Sequence, residues 1–341
     1  MKLIPKPTRI EPAFADREQI CAMFDQYAPY LAVAAYAPEG VVDETSEQAK
    51  RSVLPWFRGN WAVGGKSLVD GAEAILHNKS FLDAARSSFG TSLVWPEMVV
   101  VNINAPMPAS PTHIDNPSFH GATRENYPLP FLRVMGRSGL FEAWRVVRAS
   151  TISWFYDGKG GNFDYWPEGL DGPILSEQPP FGNVALCADN DRMYHRIGPI
   201  GNGTEEMPRI SASAKIQPDG EGNWIILENG EMRATYPSHA IRFSVLWKAE
   251  VGNGNPGIDR LTLDRIIEIF TADLRHRNAD FQIPFDPLAD TAWILLLQRI
   301  YSDPTGITGD FSLISLGKSG RPSGELSRRP AGAQDSKQNR V

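Results

Sequence analysis

The stretch TISWFYDGKGGNFDYW, residues 151–166, decides the predicted fold. Its two ends, 151–156 and 162–166, are rich in β-branched and aromatic residues, and the middle, 157–161, holds three glycines. Two runs of this composition on either side of a glycine-rich link predict two strands joined as a β-hairpin. We therefore expect a protein built largely from short strands.

The same composition extends over residues 96–250. Turn residues, among them Asp219-Gly220 and Asn229-Gly230, separate further runs that we predict to be strands; these are 98–104, 183–188, 192–197, 208–217, 224–227 and 241–249. No long helical pattern lies between them, so neighbouring strands should be antiparallel. At least eight such strands predict a mainly β fold with flanking helices, arranged as a sandwich or a jelly roll.

Helical periodicity marks both sides of this region. Residues 1–95 are predicted to form a mostly helical cover, with Asp16 as an N-cap and a second helix over 71–89. Residues 258–305 are predicted to form two helices, the first capped by Thr262.

The end of the chain has a different composition. Residues 318–341 contain almost no large apolar side chain, which predicts a disordered tail. We therefore expect a single domain over residues 1–317.

Composition and charge exclude several classes of protein. The 341-residue chain has a formal net charge of −6, which gives no general reason to expect binding to nucleic acid or to an anionic membrane. No apolar run approaches the roughly 20 residues that cross a bilayer, and the first residues have no secretory h-region. With only two cysteines, Cys21 and Cys187, the chain has no disulfide framework or Cys-based zinc cluster. We expect a cytoplasmic protein; its oligomeric state cannot be predicted.

A short motif, Pro111-Thr-His-Ile-Asp-Asn-Pro117, offers two metal ligands. In a strand, residues i and i+2 point to the same face, so His113 and Asp115 would project together. Pro117 should end the strand at Asn116, which places the pair at a strand end, where a barrel or jelly roll has its open mouth. An exposed polar strand end is the alternative interpretation, and His120 is a rival ligand to His113.

His195 lies in another predicted strand, after a tight turn. A second imidazole would complete a set of two His and one carboxylate, the facial triad of non-haem Fe(II) sites with open positions. The alternative is a structural histidine that is hydrogen-bonded to Asp189 or Asp191 in the turn.

Two Arg-x-Ser pairs follow His195. Arg209 and Ser211 would share one strand face, and so would Arg242 and Ser244, so that a guanidinium and a hydroxyl could bind a carboxylate. The alternation of residues around the second pair is the more regular of the two, and each arginine could be a surface residue.

Together these residues resemble the Fe(II)/2-oxoglutarate-dependent oxygenases, whose double-stranded β-helix (jelly-roll, cupin-like) carries a His-x-Asp…His…Arg-x-Ser signature. The resemblance covers residues 98–249. It implies that His113, Asp115 and His195 bind iron and that Arg209 with Ser211, or Arg242, binds the distal carboxylate of 2-oxoglutarate. The family usually places this arginine on the strand directly after the distal histidine, which favours Arg209 by its spacing from His195, whereas the quality of the predicted strand favours Arg242.

The resemblance also implies an activity. With Fe(II) as cofactor and 2-oxoglutarate as co-substrate, O2 would oxidise, and usually hydroxylate, a small organic substrate, with release of succinate and CO2. Two alternatives remain: a cupin-type metal-dependent isomerase or dioxygenase without 2-oxoglutarate, and a non-catalytic jelly-roll binding module.

Overall fold

The computed structural model describes residues 4–36, 53–202, 207–252 and 259–301. Its helices are α1 (Arg17–Gln26), α2 (Ala72–Leu76), α3 (Lys79–Phe89), α4 (Leu129–Ser138), α5 (Leu263–His276) and α6 (Thr291–Ile300). Its strands are β1 (Thr8–Ile10), β2 (Tyr30–Ala32), β3 (Trp56–Val63), β4 (Lys66–Ser67), β5 (Val94–Asn104), β6 (Arg148–Phe155), β7 (Phe163–Trp166), β8 (Leu175–Glu177), β9 (Ala185–Ala188), β10 (Tyr194–Ile197), β11 (Lys215–Pro218), β12 (Asn223–Glu228), β13 (Glu231–Pro237) and β14 (Arg242–Val251). The predicted tail, 318–341, lies outside the described residues.

The strands in the described ranges form two antiparallel sheets. The large sheet has the order β1-β9-β6-β14-β5-β3-β2-β11-β12-β13, with β4 paired to β3. The small sheet has the order β10-β7-β8. Single bridges from Met107 to Ile200 and from His113 to His195 extend it by the segment 107–113.

The chain alternates between these sheets. It passes from β5 in the large sheet to 107–113 in the small one, then through β6 (large), β7 and β8 (small), β9 (large) and β10 (small), and returns to the large sheet for β11–β13 and β14. This alternation is a jelly roll, here a double-stranded β-helix, and it confirms the predicted fold class.

The predicted hairpin over residues 151–166 is wrong. β6 pairs with β14 and β9, whereas β7 pairs with β10 and β8, so the two runs lie in different sheets. The link 156–162 is long enough to cross the roughly 10 Å between packed sheets. Aromatic side chains then meet across the gap, with the rings of Trp154 and Phe163 5.3 Å apart. The runs 183–188 and 192–197 are separated in the same way.

The described parts of residues 1–95, 4–36 and 53–95, contain strands β1–β4 in addition to helices, so the predicted helical cover is only partly correct. Pairing of β3 with β5 along seven residue pairs holds this segment extended, which local helical periodicity could not reveal. The N-cap prediction is confirmed, since Asp16 Oδ1 accepts a hydrogen bond from the Gln19 amide at 2.9 Å. The single helix predicted over 71–89 is interrupted, and Asn78 caps α3.

The carboxyl-terminal helices agree with the prediction. The Thr262 hydroxyl accepts a hydrogen bond from the Arg265 amide at 3.3 Å, so Thr262 is the N-cap of α5. Residues 302–305 of the predicted region lie outside the described residues.

Three apolar clusters hold these parts together. Helices α1–α3 pack on the outer face of the large sheet, where the rings of Phe81 and Trp247 lie 5.9 Å apart. A second cluster, which includes Trp154 and Phe163, fills the space between the sheets. Helices α4–α6 form a third cluster of their own. None of the described helices has the length and apolar character needed to cross a bilayer.

Candidate metal centre

Two histidines face each other at the edge of the small sheet. The amide of His113 donates to the carbonyl of His195 at 3.0 Å, and the amide of His195 donates to the carbonyl of His113 at 2.8 Å. Residues that exchange both main-chain bonds are directly opposed, so their side chains project to the same side. The two imidazole rings accordingly lie 4.3 Å apart between centroids.

Main-chain carbonyls fix the orientation of both imidazoles. His113 Nδ1 lies 3.0 Å from the Pro111 carbonyl oxygen, and His195 Nδ1 lies 3.0 Å from that of Met193. A carbonyl only accepts hydrogen bonds, so Nδ1 carries the hydrogen in each ring. Each Nε2 is therefore the nitrogen with a lone pair for a metal ion, the arrangement expected of a ligating histidine.

Asp115 completes the set. Its amide donates to the Asn190 carbonyl at 2.8 Å, which holds the residue beside the turn between β9 and β10. Asp115 Oδ1 lies 3.7 Å from His195 Nε2. The ligand atoms of His113, Asp115 and His195 all lie within 4.8 Å of one another, and no other such group of three or more His, Cys, Asp or Glu occurs in the described residues.

The spacing and chemistry of these atoms fit a divalent transition-metal ion. Metal–ligand bonds of about 2.1 Å place ligand atoms up to about 4 Å apart, so small side-chain rotations would close the remaining gap. Two neutral imidazoles and one carboxylate on one side of an ion leave coordination positions open for other ligands.

A lysine holds the second oxygen of the carboxylate. Lys248 Nζ lies 2.7 Å from Asp115 Oδ2 and 3.1 Å from Asp191 Oδ1. Asp115 therefore presents Oδ1 to the histidines and Oδ2 to the ammonium group. This division leaves one oxygen for a metal ion and disfavours binding through both.

The charges at the centre favour metal binding at neutral pH. Desolvation lowers the pKa of His113 to about 3, with a further contribution from His195, so its imidazole is neutral. Burial on its own would raise the pKa of Asp115, but Lys248 and the two imidazoles hold it well below its ordinary value. Burial opposes the charge on Lys248, yet Asp115 and Asp191 raise its pKa to about 12.

A pair of buried carboxylates lies behind the lysine. Asp189 and Asp191 are 1% and 2% exposed, and within the described ranges the Oδ2 atom of each has no hydrogen-bond partner. Burial and the charge of Asp191 raise the pKa of Asp189 to about 7. Neither carboxylate is bonded to His195, whose Nδ1 faces the Met193 carbonyl instead.

Arg242 lies on the inner face of the jelly roll, at the start of β14. It is 1% exposed, its Nε donates to the Gly161 carbonyl at 2.7 Å, and its guanidinium lies over the Phe181 ring. Its Nη2 atom has no hydrogen-bond partner among the described residues, and neither does Trp154 Nε1. Burial lowers the pKa of Arg242 to about 9.

The strand register places further polar groups beside Arg242. Ser244 lies on the same face of β14, opposite Asn102 of β5 and Trp154 of β6. This part of the inner face therefore carries a buried guanidinium, an indole N–H and a hydroxyl.

Arg209 and Ser211 lie in a different environment. The strand predicted over 208–217 is wrong in its first part, because β11 begins only at Lys215. The Ser211 hydroxyl accepts from the Ser213 amide at 3.2 Å, and the Ser211 carbonyl accepts from the Ala214 amide, so the chain turns here. Arg209 and Ser211 are both exposed, and they do not share a strand face.

His120 is not part of the metal centre. Its main chain bonds to Trp144 and Leu261, and it is absent from the group formed by His113, Asp115 and His195 in the described structure.

Sequence reasoning missed two cations near the centre. Lys248 lies on the same strand face as Arg242, and extending the alternation in β14 by one further step would have found it. Arg58 lies in β3, within the region predicted to be a helical cover, so the sequence predicts no strand face there.

No family model and no curated protein matches the chain. Solved structures do match. An oxidoreductase of the 2OG-Fe(II) oxygenase family from Burkholderia pseudomallei is 11% identical with a TM-score of 0.37, over 73% of this chain and 85% of that one. A prolyl-4-hydroxylase from Pseudomonas putida is 10% identical with a TM-score of 0.37, over 72% of this chain and 94% of that one.

A third match is HygX from Streptomyces hygroscopicus, in a structure with nickel, 2-oxoglutarate and hygromycin B bound. It is 7% identical with a TM-score of 0.36, over 76% of this chain and 89% of that one. The family printed for the first of these structures is the one that the His-x-Asp…His…Arg-x-Ser pattern resembles. At these scores, no residue role and no substrate transfers to this chain.

Proposed function

We propose that the protein is a non-haem Fe(II)- and 2-oxoglutarate-dependent oxygenase that oxidises, by hydroxylation, a small organic substrate. The observation that carries the proposal is the convergence of His113, Asp115 and His195, from two segments about 80 residues apart, on one point at the edge of the small sheet. The two imidazoles present Nε2 and the carboxylate presents Oδ1, which is the donor set of a facial triad.

Each residue of the centre has a defined task. His113 and His195 bind the ion as neutral imidazoles, and Asp115 binds it through one oxygen while Lys248 holds the other. Bound Fe(II) supplies the redox chemistry in which one O2 and one 2-oxoglutarate convert an R–H group to R–OH, with succinate and CO2 as co-products. The two sheets around the centre limit the access of bulk water to this chemistry.

Arg242 binds the distal carboxylate of 2-oxoglutarate. It is a buried cation with an unpaired donor atom among the described residues, and Ser244 lies beside it. A carboxylate would supply the missing acceptor and the missing negative charge. The exposure of Arg209 and Ser211 on a turn argues against the other Arg-x-Ser pair.

The protein acts in the cytoplasm in this proposal. Cys21 and Cys187 are both free thiols, and burial raises the pKa of Cys187 to about 11. Free cysteines fit a reducing compartment.

The test is succinate release from purified protein supplied with Fe(II), 2-oxoglutarate and O2, together with a screen of small organic substrates. We expect one succinate for each product molecule. An enzyme that needs the metal but not 2-oxoglutarate would be a cupin-type isomerase or dioxygenase, and that result would refute the proposal.

Paired variants test the arginine assignment. Arg242→Gln should raise the Kd for 2-oxoglutarate at least 10-fold, because charge-assisted hydrogen bonds each contribute about 1.5–3 kcal/mol. Arg209→Gln should leave that Kd unchanged. The reverse result would assign the carboxylate to Arg209.

A further inference from the structure

A second arginine lies on the inner face of the large sheet. Arg58 of β3 is paired with Asn102 of β5, which is paired in turn with Ser244 of β14. Residues directly opposed in antiparallel strands share a face, so Arg58 faces the same side as Arg242 and Lys248. The resemblance described above assigns no role to this residue.

The side chain of Arg58 is held in place. Its Nε donates to Asn102 Oδ1 at 3.1 Å, and the Trp56 indole N–H donates to the same oxygen at 3.0 Å. The Tyr36 hydroxyl donates to the Arg58 carbonyl at 3.1 Å. With Nε bonded, the two Nη groups remain as a fork that can donate two parallel hydrogen bonds to a carboxylate or a phosphate.

Arg58 forms no ion pair with a described carboxylate. Burial lowers the pKa of Arg58. The negative charge of Asp115 raises this pKa, and the positive charge of Arg124 lowers it further. Asp115 is already held by Lys248 and, in the proposed function, also by the metal ion. Among the described residues this half-buried guanidinium has no ion-pair partner, and an anionic ligand would provide a counter-ion.

Arg58 and Arg242 are separate sites. Two inter-strand spacings, from β3 across β5 to β14, and two residues along β14 separate their Cα atoms, which corresponds to about 12 Å. Their Nε atoms are bonded to different partners, Asn102 and the Gly161 carbonyl. One carboxylate at Arg242 therefore leaves Arg58 available for a second anion.

We propose that Arg58 binds an anionic group, a carboxylate or a phosphate, on the substrate that is oxidised at the metal centre. The proposal rests on the proposed function and narrows its substrate to an anionic small molecule. Arg58 is then a specificity residue for that substrate, with Asn102 as the residue that positions it.

The experiment uses the Ni(II)-loaded chain with 2-oxoglutarate, so that binding is measured without turnover. Calorimetric titration compares benzoate with benzamide, which has the same shape without the charge, and inorganic phosphate serves as a third probe. The variants are Arg58→Gln, Arg58→Lys and, as a control at an exposed arginine, Arg260→Gln.

We expect the wild type and Arg260→Gln to bind benzoate or phosphate at least 10-fold more tightly than benzamide. Arg58→Gln should lose this preference, while its affinities for Ni(II) and 2-oxoglutarate stay within about twofold of the wild type. Arg58→Lys should recover part of the preference, because it restores the charge without the fork.

Two results would overturn the proposal. In the first, the wild type binds the acids no better than the amide. In the second, Arg58→Gln weakens 2-oxoglutarate binding instead of benzoate binding, which would make Arg58 the anchor of the co-substrate. If the wild type binds neither Ni(II) nor 2-oxoglutarate, the proposed function fails, and the same titrations on the metal-free protein still test Arg58 by the loss of the acid preference in Arg58→Gln.

Discussion

The ammonium group of Lys248 occupies the centre of a buried acidic cluster. Asp115 and Asp191 both contact it, and Asp189 lies nearby with its own charge suppressed by burial. Lys248 is thus the cation that balances Asp115 and Asp191 in the metal-free protein, whereas Arg192 Nε lies 3.8 Å from Asp189 Oδ2. A divalent ion bound by Asp115 would add to that balance.

Substituting Lys248 with Met tests this role. Removal of one partner from a buried ion pair leaves an uncompensated charge, so the free energy of unfolding of the metal-free protein should fall by about 3 kcal/mol. An added Ni(II) ion replaces the missing positive charge, so Ni(II) should raise the Tm of Lys248→Met more than that of the wild type. Thermal unfolding with and without Ni(II) measures both effects. Equal Ni(II) shifts in the two proteins would contradict this account.

Asp189 makes stability depend on pH. Its folded pKa of about 7 lies above that of an ordinary Asp, so the folded protein keeps a proton that the unfolded chain releases. Its contribution to stability is therefore lost as the pH rises from about 4 to about 7. Above this window the buried carboxylate must be charged.

Asp189→Asn removes that titration. Between pH 5 and pH 8, the free energy of unfolding should fall by about 2 kcal/mol less in the variant than in the wild type. Urea unfolding of the metal-free proteins at the two pH values gives the comparison, because other groups titrate alike in both. The same pH dependence in both proteins would show that Asp189 is ionised in the folded state.

The links between strands, at the scale of elements, direct the chain from one sheet to the other. Gly160, just before β7, has a φ of 66° and bridges to Ile200. A Cβ atom at Gly160 would lie 2.1 Å from the Pro199 carbonyl oxygen. Gly220, in the turn between β11 and β12, has a φ of 82° but open space around the same position.

Alanine substitutions at these two glycines should lower the free energy of unfolding by different amounts. Gly220→Ala carries only the cost of a left-handed backbone, about 1 kcal/mol, whereas Gly160→Ala also forces two main-chain segments apart. We expect Gly160→Ala to lower the free energy of unfolding by at least about 2 kcal/mol more than Gly220→Ala, measured by urea unfolding. Equal losses in the two variants would mean that the main chain at Gly160 and Pro199 can move apart without lowering the free energy of unfolding.

At the scale of helices and strands, some features could be predicted from the sequence and others could not. Local signals with a direct mechanism were reliable: Asp16 and Thr262 cap helices, and Asn229-Gly230 forms the turn between β12 and β13. Strand composition and spacing predicted a sandwich or a jelly roll, and the resemblance to the oxygenases specified the jelly roll. The pairing of strands could not be predicted in this way, because β6 and β7 have the local sequence of a hairpin but belong to different sheets.

The candidate site shows the same limit. The spacing of His113 and Asp115 suggested a shared face, but only the direct opposition of His113 and His195 across two strands brings the three ligands together. Arg58 and Lys248 are ordinary strand residues by sequence, and their position beside the centre depends on register between distant segments. Arg209 was favoured by spacing, and a turn at Ser211 removes the strand on which that expectation depended.

The two packed sheets form a frame, and the proposed metal centre lies at one edge of the small sheet. Helices α1–α3 cover the outer face of the large sheet, and an apolar cluster fills the space between the sheets. Helices α4–α6 have a separate core. The proposed metal ligands lie on the segment 107–115 and on β10, at the edge of the small sheet, so their positions depend on the frame and not on one loop.

Metal stoichiometry in a set of matched His→Ala variants tests the central claim most directly. Equilibrium dialysis against Ni(II), followed by elemental analysis, should find one ion per chain in the wild type and in His120→Ala. His113→Ala and His195→Ala should lose the ion while their near-UV circular dichroism stays that of the folded wild type. A folded His195→Ala chain that still holds one ion would contradict the assignment of the metal centre.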